Sequence, residues 1–155
     1  YKIQDRAEKL AAMESMLIDR TIQNQIPFGS PTNDGWISST YGMRPDPISG
    51  KMQFHQGVDF AGRVGSQIEA VASGVVTWSG NRYGYGNMVE INHGNGFQTR
   101  YAHHKKNVVV VGQKVDKRQV IALMGESGRA TGPHVHFEVI KNGIPINPIK
   151  YISSK

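Results

Sequence analysis

Asn87-Met88-Val89-Glu90-Ile91-Asn92-His93-Gly94-Asn95-Gly96-Phe97-Gln98-Thr99-Arg100-Tyr101-Ala102-His103 is the stretch on which the fold turns. Residues 87–91 and 97–103 alternate apolar and polar side chains, the period-two pattern of a half-buried strand. Asn95-Gly96 between them is the dipeptide of a tight hairpin turn, whose central positions require positive φ. The reading is an antiparallel hairpin. Similar short runs at 74–78, 107–111, 120–124 and 134–140 predict further strands. Ser79-Gly80-Asn81, Tyr83-Gly84-Tyr85-Gly86 and Gly125-Glu126-Ser127-Gly128 predict turns between them. The expected architecture is mainly β, an antiparallel sandwich or barrel-like domain.

Ahead of this domain, residues 1–25 predict the one clear helix. Ile3, Leu10 and Leu17 recur every seven residues, with Ala7, Met13 and Met16 nearby and charged residues on the other faces. Such a stripe needs a partner. It is expected to be the end of a stalk or a coiled coil, and the surface for a regulatory or membrane-anchored partner. Pro, Gly and Asn between 26 and 35 predict a linker, which leaves 36–155 as the main domain. The chain opens at Tyr1 inside the helical pattern, so a signal or anchor segment is expected to be absent from it.

A length of 155 residues fits one ordinary domain. Eighteen Lys and Arg against twelve Asp and Glu give 18 − 12 = +6. This suits a polyanionic partner, and equally an ordinary basic secreted protein. No dense basic run is interleaved with aromatic residues, so no nucleic acid partner is expected. Cysteine is absent, which excludes disulfides and thiolate metal sites. No apolar stretch reaches the roughly 18 residues of a membrane-spanning helix.

Histidine carries the chemistry. His55 and Asp59 lie in Phe54-His55-Gln56-Gly57-Val58-Asp59-Phe60, and His134 and His136 bracket Val135. His103 and His104 fall between the two clusters. Residues two apart on a strand share a face, so His134 and His136 aim at one place, as His55 and Asp59 do if their segment is extended. Imidazole and carboxylate donors suit zinc, and three protein ligands with one open position make a catalytic site. Four clustered donors leave at least one histidine free to move a proton.

His55-Gln56-Gly57-Val58-Asp59-Phe60, then Arg100-Tyr101-Ala102-His103, then Thr131-Gly132-Pro133-His134-Val135-His136-Phe137-Glu138 resembles the lysostaphin-type, or LytM-like, zinc endopeptidases. The segments Ile68-Glu69-Ala70-Val71-Ala72-Ser73-Gly74-Val75-Val76 and Gly112-Gln113-Lys114-Val115 share the resemblance, which runs from about 36 to 152. It implies a LytM-type domain holding one Zn2+ per chain through His55, Asp59 and His136. It also implies that His103 and His134 face the reacting water and the substrate carbonyl. Family members cut peptide bonds in the stems or cross-bridges of bacterial cell-wall peptidoglycan. The expected activity is therefore hydrolysis by zinc-activated water, with two histidines as proton shuttle and transition-state stabilisers. D-Ala–diaminopimelate cross-links are the expected bond and peptidoglycan peptide stems the partner, in the periplasm, cell envelope or exterior. The alternatives are a glycine-bridge endopeptidase and a non-catalytic activator of other wall hydrolases. One departure is visible: His104 follows His103 where the family has an apolar residue. Strand alternation places the two on opposite faces, which keeps His103 at the site.

Other side chains have two readings each. Arg44 would grip a substrate carboxylate with its fork or staple its loop. Tyr83 and Tyr85 would wall a groove or cover core. Glu138 and Glu90 read as face charges or as carboxylates holding a metal ligand in place, and His93 as a solvated turn residue. A β domain carrying a lipoyl or biotinyl group on Lys117 is a further alternative, but it gives the histidines no task.

Overall fold

The computed structural model describes residues 2–46 and 48–152, the side chains of 2–5 and 18–22 excepted. Ile3, the first residue of the predicted helical stripe, is among those excepted, and residues 153–155 of the main domain lie outside the described residues. Helix α1 (Lys2–Gln25) is followed by β1 (Trp36–Ser39), β2 (Gly42–Pro45), β3 (Met52–His55), β4 (Val58–Ala61), β5 (Gln67–Glu69) and β6 (Gly74–Arg82). Then come β7 (Gly86–Gly94), β8 (Phe97–Asn107), β9 (Lys114–Val115), β10 (Val120–Met124), β11 (His134–Lys141), β12 (Ile144–Ile146) and the short α2 (Ile149–Ile152). Ten strands form one antiparallel sheet with the path β1-β4-β11-β8-β7-β6-β9, to which β5, β10 and β12 attach, while β2 and β3 pair separately.

Alternation along the central strands separates core from site. On β4, Val58 and Phe60 face inward; on β11, so do Val135, Phe137 and Val139. Burying each of these side chains is worth about 1.5–3 kcal/mol. Asp59 and His136 occupy the opposite face, and the register sets them directly across from each other on neighbouring strands. The packing that anchors the strands thereby fixes two candidate ligands side by side.

The hairpin read at Asn95-Gly96 forms as β7–β8, with φ of 53° at Asn95 and 82° at Gly96. Two expectations fail. Ser79-Gly80-Asn81 is no turn, because β6 continues through it against β7 to the pair Arg82↔Gly86. Residues 108–111 are not a strand despite their valines. Here the Val108 and Val110 N–H groups bond the Ile121 carbonyl and the Gln113 side chain in place of a ladder. The segment 26–35 is also more than a spacer. Arg118 donates to the carbonyls of Phe28 and Ser30, and Gly29 N–H donates to Tyr151. Leu10, Met13, Met16 and Leu17 of α1 are exposed, while the carbonyl of Asn24 accepts from Ser73 of the domain.

Candidate metal centre and active site

His55 closes β3, and Asp59 sits in β4 of the main sheet. They belong to different sheets, so the chain turns between them and the segment is not one extended strand. Gly57 makes the turn feasible. A Cβ there would lie 2.3 Å from the carbonyl oxygen of Phe137 and 3.0 Å from His136 Cε1. The turn delivers His55 Nε2 to 3.2 Å from both Asp59 Oδ1 and His136 Nδ1, and the last two atoms are 2.7 Å apart. Zinc bonds of 2.0–2.1 Å in a tetrahedron require ligand–ligand edges of about 3.3 Å. The three donors match that with small adjustments.

The opposite ring nitrogens fix the tautomers. His55 Nδ1 donates to the carbonyl of Thr40 at 2.9 Å, and His136 Nε2 meets Glu138 Oε2 at 2.8 Å. Each imidazole is thus aimed with its other lone pair at the shared point, as metal-ligating histidines generally are. Glu138 is almost fully buried, and it also accepts from Tyr85 Oη at 3.0 Å and from Arg100 Nη1 at 3.4 Å. Arg100 Nε continues to Glu90 at 2.7 Å. Glu138 and Glu90 therefore belong to one polar row across β11, β8 and β7, and Glu138 holds a ring of the triad.

The carboxylates set the charge of the cluster. Burial alone would lower the pKa of His136, but hydrogen bonds and charges from Asp59 and Glu138 outweigh it and raise it to about 9. Burial would likewise raise Asp59; the two histidines overcome this and hold it well below the usual carboxylate range. Two buried carboxylates around one imidazole favour a positive charge at this point, and a metal cation would compete there with the His136 proton.

Two further histidines face the cluster. The rings of His103 and His134 are 4.6 Å apart, and His103 is 6.1 Å from His136. His103 Nδ1 donates to the Ser127 carbonyl at 2.6 Å and His134 Nδ1 to that of Gly132 at 2.9 Å. That leaves Nε2 of each to give or take a proton. Burial pushes His103 down to about 4, so it is neutral at pH 7. Plain alternation would not have brought His103 here. Tyr101 faces the core, and a residue two further on should do the same. A bulge interrupts the pairing between Asn87↔His104 and Val89↔Tyr101, and His103 adopts φ 68°. The kink turns it to the site. His104 goes inward instead, fully buried, with Nδ1 on Asn107 and Nε2 without a partner.

The groove around these groups is lined by residues including Ser38, Arg44, Phe54, Tyr85, Arg129 and Thr131. Next to the lining residues Tyr85 and Arg129, the backbones of Gly86 and Gly128 pack so closely that a Cβ on Gly128 would lie 2.3 Å from Gly86 N. Arg44 sits beside the cluster, with Nη2 3.8 Å from Asp59 Oδ2. Tyr83 neither walls the groove nor covers core, being 99% exposed. His93 is not a solvated turn residue: it is buried, with Nδ1 2.7 Å from the Ser73 carbonyl and Nε2 2.7 Å from Thr99 Oγ1.

Comparison with known proteins identifies the family. The model of peptidase family M23 matches residues 53–148, a span holding His55, Asp59, His103, His134 and His136. The chain belongs to peptidase family M23. Among curated M23-like relatives, it is 43% identical over 113 residues to the DD-carboxypeptidase/endopeptidase Mpg of Neisseria meningitidis, covering 73% of this chain and 26% of that protein. It is 42% identical over 122 residues to the peptidoglycan DD-endopeptidase ShyA of Vibrio cholerae, covering 77% and 28%. The chain thus spans about a quarter of the length of these relatives. A zinc-containing peptidase from Vibrio cholerae superposes with a TM-score of 0.70 at 35% identity, over 79% of this chain and 39% of that one. The catalytic domain of lysostaphin from Staphylococcus simulans gives 0.68 at 32%, over 76% and 91%. The mainly β architecture is therefore that of the lysostaphin-type domains.

Proposed function

We propose that this domain is a single-zinc endopeptidase of bacterial cell-wall peptidoglycan and that it cuts D-Ala–diaminopimelate cross-links. The observation that carries the reading is the convergence of His55, Asp59 and His136 on one point, with His103 and His134 beside it in an open groove. Relatives named as DD-endopeptidases support the choice of bond.

When bound, zinc would polarise the scissile carbonyl and lower the pKa of its water from about 15.7 towards 7. The chain's own residues do the rest. His55, Asp59 and His136 would hold the ion, and Thr40 and Glu138 keep the two rings in the right tautomer. Nε2 of His103 or His134 takes a proton from the attacking water, donates it as a hydrogen bond to the oxygen on which charge builds, and then passes that same proton to the leaving amine. Their Nδ1 anchors keep both rings from turning. Tyr85 serves by its hydroxyl on Glu138 and by lining the groove.

The domain would act in the periplasm, the cell envelope or outside the cell, where the polymer lies. The exposed residues Leu10, Met13, Met16 and Leu17 of α1 would meet a regulatory or membrane-anchored partner. Digestion of purified muropeptides, with the products identified by mass spectrometry, tests the reading. Conversion of D-Ala–diaminopimelate dimers to monomers is expected. Cleavage confined to glycine bridges would refute the choice of bond.

A further inference from the structure

The β2–β3 hairpin has two unlike faces. Register places Gly42 opposite His55, Met43 opposite Phe54, and Arg44 opposite Gln53. Arg44 and Gln53 therefore share the face that carries His55 to the cluster, and both line the groove. Arg44 is under-used where it stands. Nη1 donates to the Pro45 carbonyl at 3.3 Å, Nε is buried without a partner, and Nη2 makes only a long ion pair, 3.8 Å from Asp59 Oδ2 and beyond hydrogen-bond reach. Asp59 turns its other oxygen, Oδ1, to both candidate zinc-ligating histidines. Arg129, the other groove arginine, is already paired with Asp46. Arg44 is thus a cationic fork with spare donors, adjoining the reaction centre.

We propose that Arg44 recognises a free carboxylate on the carbon next to the leaving nitrogen of the substrate. The proposal rests on the peptidoglycan reading above and deepens it. In a D-Ala–diaminopimelate cross-link, the amine released comes from a carbon that also bears a free carboxylate. In a glycine bridge that carbon continues into another amide. The distinguishing carboxylate is two bonds beyond the scissile nitrogen, within roughly 4 Å of the carbonyl carbon under attack. A guanidinium beside Asp59 lies in that zone, and a planar fork suits a carboxylate bidentately. A primary carboxamide at the same carbon offers no negative charge and presents N–H groups to a cation.

The test uses two synthetic cross-linked peptides that differ only at that carbon, one the free acid and the other the primary carboxamide. Each is cleaved by the zinc-loaded domain and by its Arg44→Gln and Arg44→Lys variants, with zinc content measured on all three. The intact domain should prefer the acid by roughly 10- to 100-fold in kcat/KM, the range of a hydrogen bond to a charged group. Arg44→Gln should bring the ratio near one through loss on the acid alone, with zinc retained, and Arg44→Lys should recover part of it. Equal cleavage of acid and amide by the intact domain would overturn the proposal while leaving the peptidoglycan reading in place. Equal loss on both substrates together with loss of zinc would overturn it too, making Arg44 a support for Asp59. Cleavage of a glycine peptide with neither cross-linked peptide touched would refute the reading beneath it.

Discussion

Glu138 Oε2 lies 2.8 Å from His136 Nε2, on the side of the ring away from the nitrogen that meets Asp59. One carboxylate is placed to share a metal with the ring and the other to steer it. Asp59 lies across the sheet from His136, and Glu138 lies two residues beyond His136 on β11, opposite Arg100 of β8. Glu138→Ala should therefore weaken zinc binding by about 10- to 100-fold, the usual cost of losing such an outer hydrogen bond. Glu138→Gln, which can still accept from the ring, should lose less. Competition against a chromogenic chelator reads both, and unchanged affinity in Glu138→Ala would remove this residue from the account.

The ligands themselves should behave differently. The purified domain is expected to hold about one zinc, at the three-donor site of His55, Asp59 and His136. His136→Ala and Asp59→Ala should lose it under dialysis that leaves the parent loaded. Metal analysis by mass spectrometry checks this, and full zinc content in either variant would displace the assignment.

His103→Ala and His134→Ala should keep zinc and lose about 10²- to 10⁴-fold in wall-lytic rate, the contribution of a placed proton-transfer group. His104→Ala should cost stability and leave most of the rate, because His104 is buried against Asn107 on the other side of the kink. A dead His104→Ala beside an active His103→Ala would reverse that assignment.

Acid and alkali should both destabilise the metal-free domain, for opposite reasons. Burial lowers His93, His103 and His104 to about 4 in the fold, against 6.5 unfolded. Between those values the unfolded chain binds more protons, so stability falls as pH drops from 6.5 towards 4. His136 is raised to about 9, so its contribution is complete below 6.5 and is lost as pH climbs to 9. Each group contributes a slope on the order of 1 kcal/mol per pH unit in its window. Urea unfolding of the chelated domain should give a maximum near pH 6.5. Zinc should erase the alkaline limb, since binding it already expels the His136 proton.

Much of this was legible in the sequence because the relevant signals are local. Alternation around Asn95-Gly96 gave the central hairpin, and His-x-His gave two rings on one face. Other features depend on contacts between distant segments. His93 looked like a turn residue among glycines and asparagines, yet Ser73 and Thr99 bury and satisfy it. The placement of His103 followed from alternation only by accident, since Tyr101 faces the core and a bulge with positive φ does the turning. His55 and Asp59 meet because Gly57 lets the chain bend against β11, not because one strand carries both. Tyr83 and Tyr85 were alike in the sequence; only the second has a buried carboxylate to bond.

The central claim is zinc-dependent cleavage of peptidoglycan cross-links, and one measurement tests it most directly. Cross-linked muropeptide dimers are incubated with the domain as purified, after chelation, and after chelation followed by one equivalent of zinc, and the products are weighed by mass spectrometry. The account predicts monomers cut at D-Ala–diaminopimelate in the first and third samples and intact dimers in the second. Equal product in all three, or intact dimers with zinc fully bound, would contradict it.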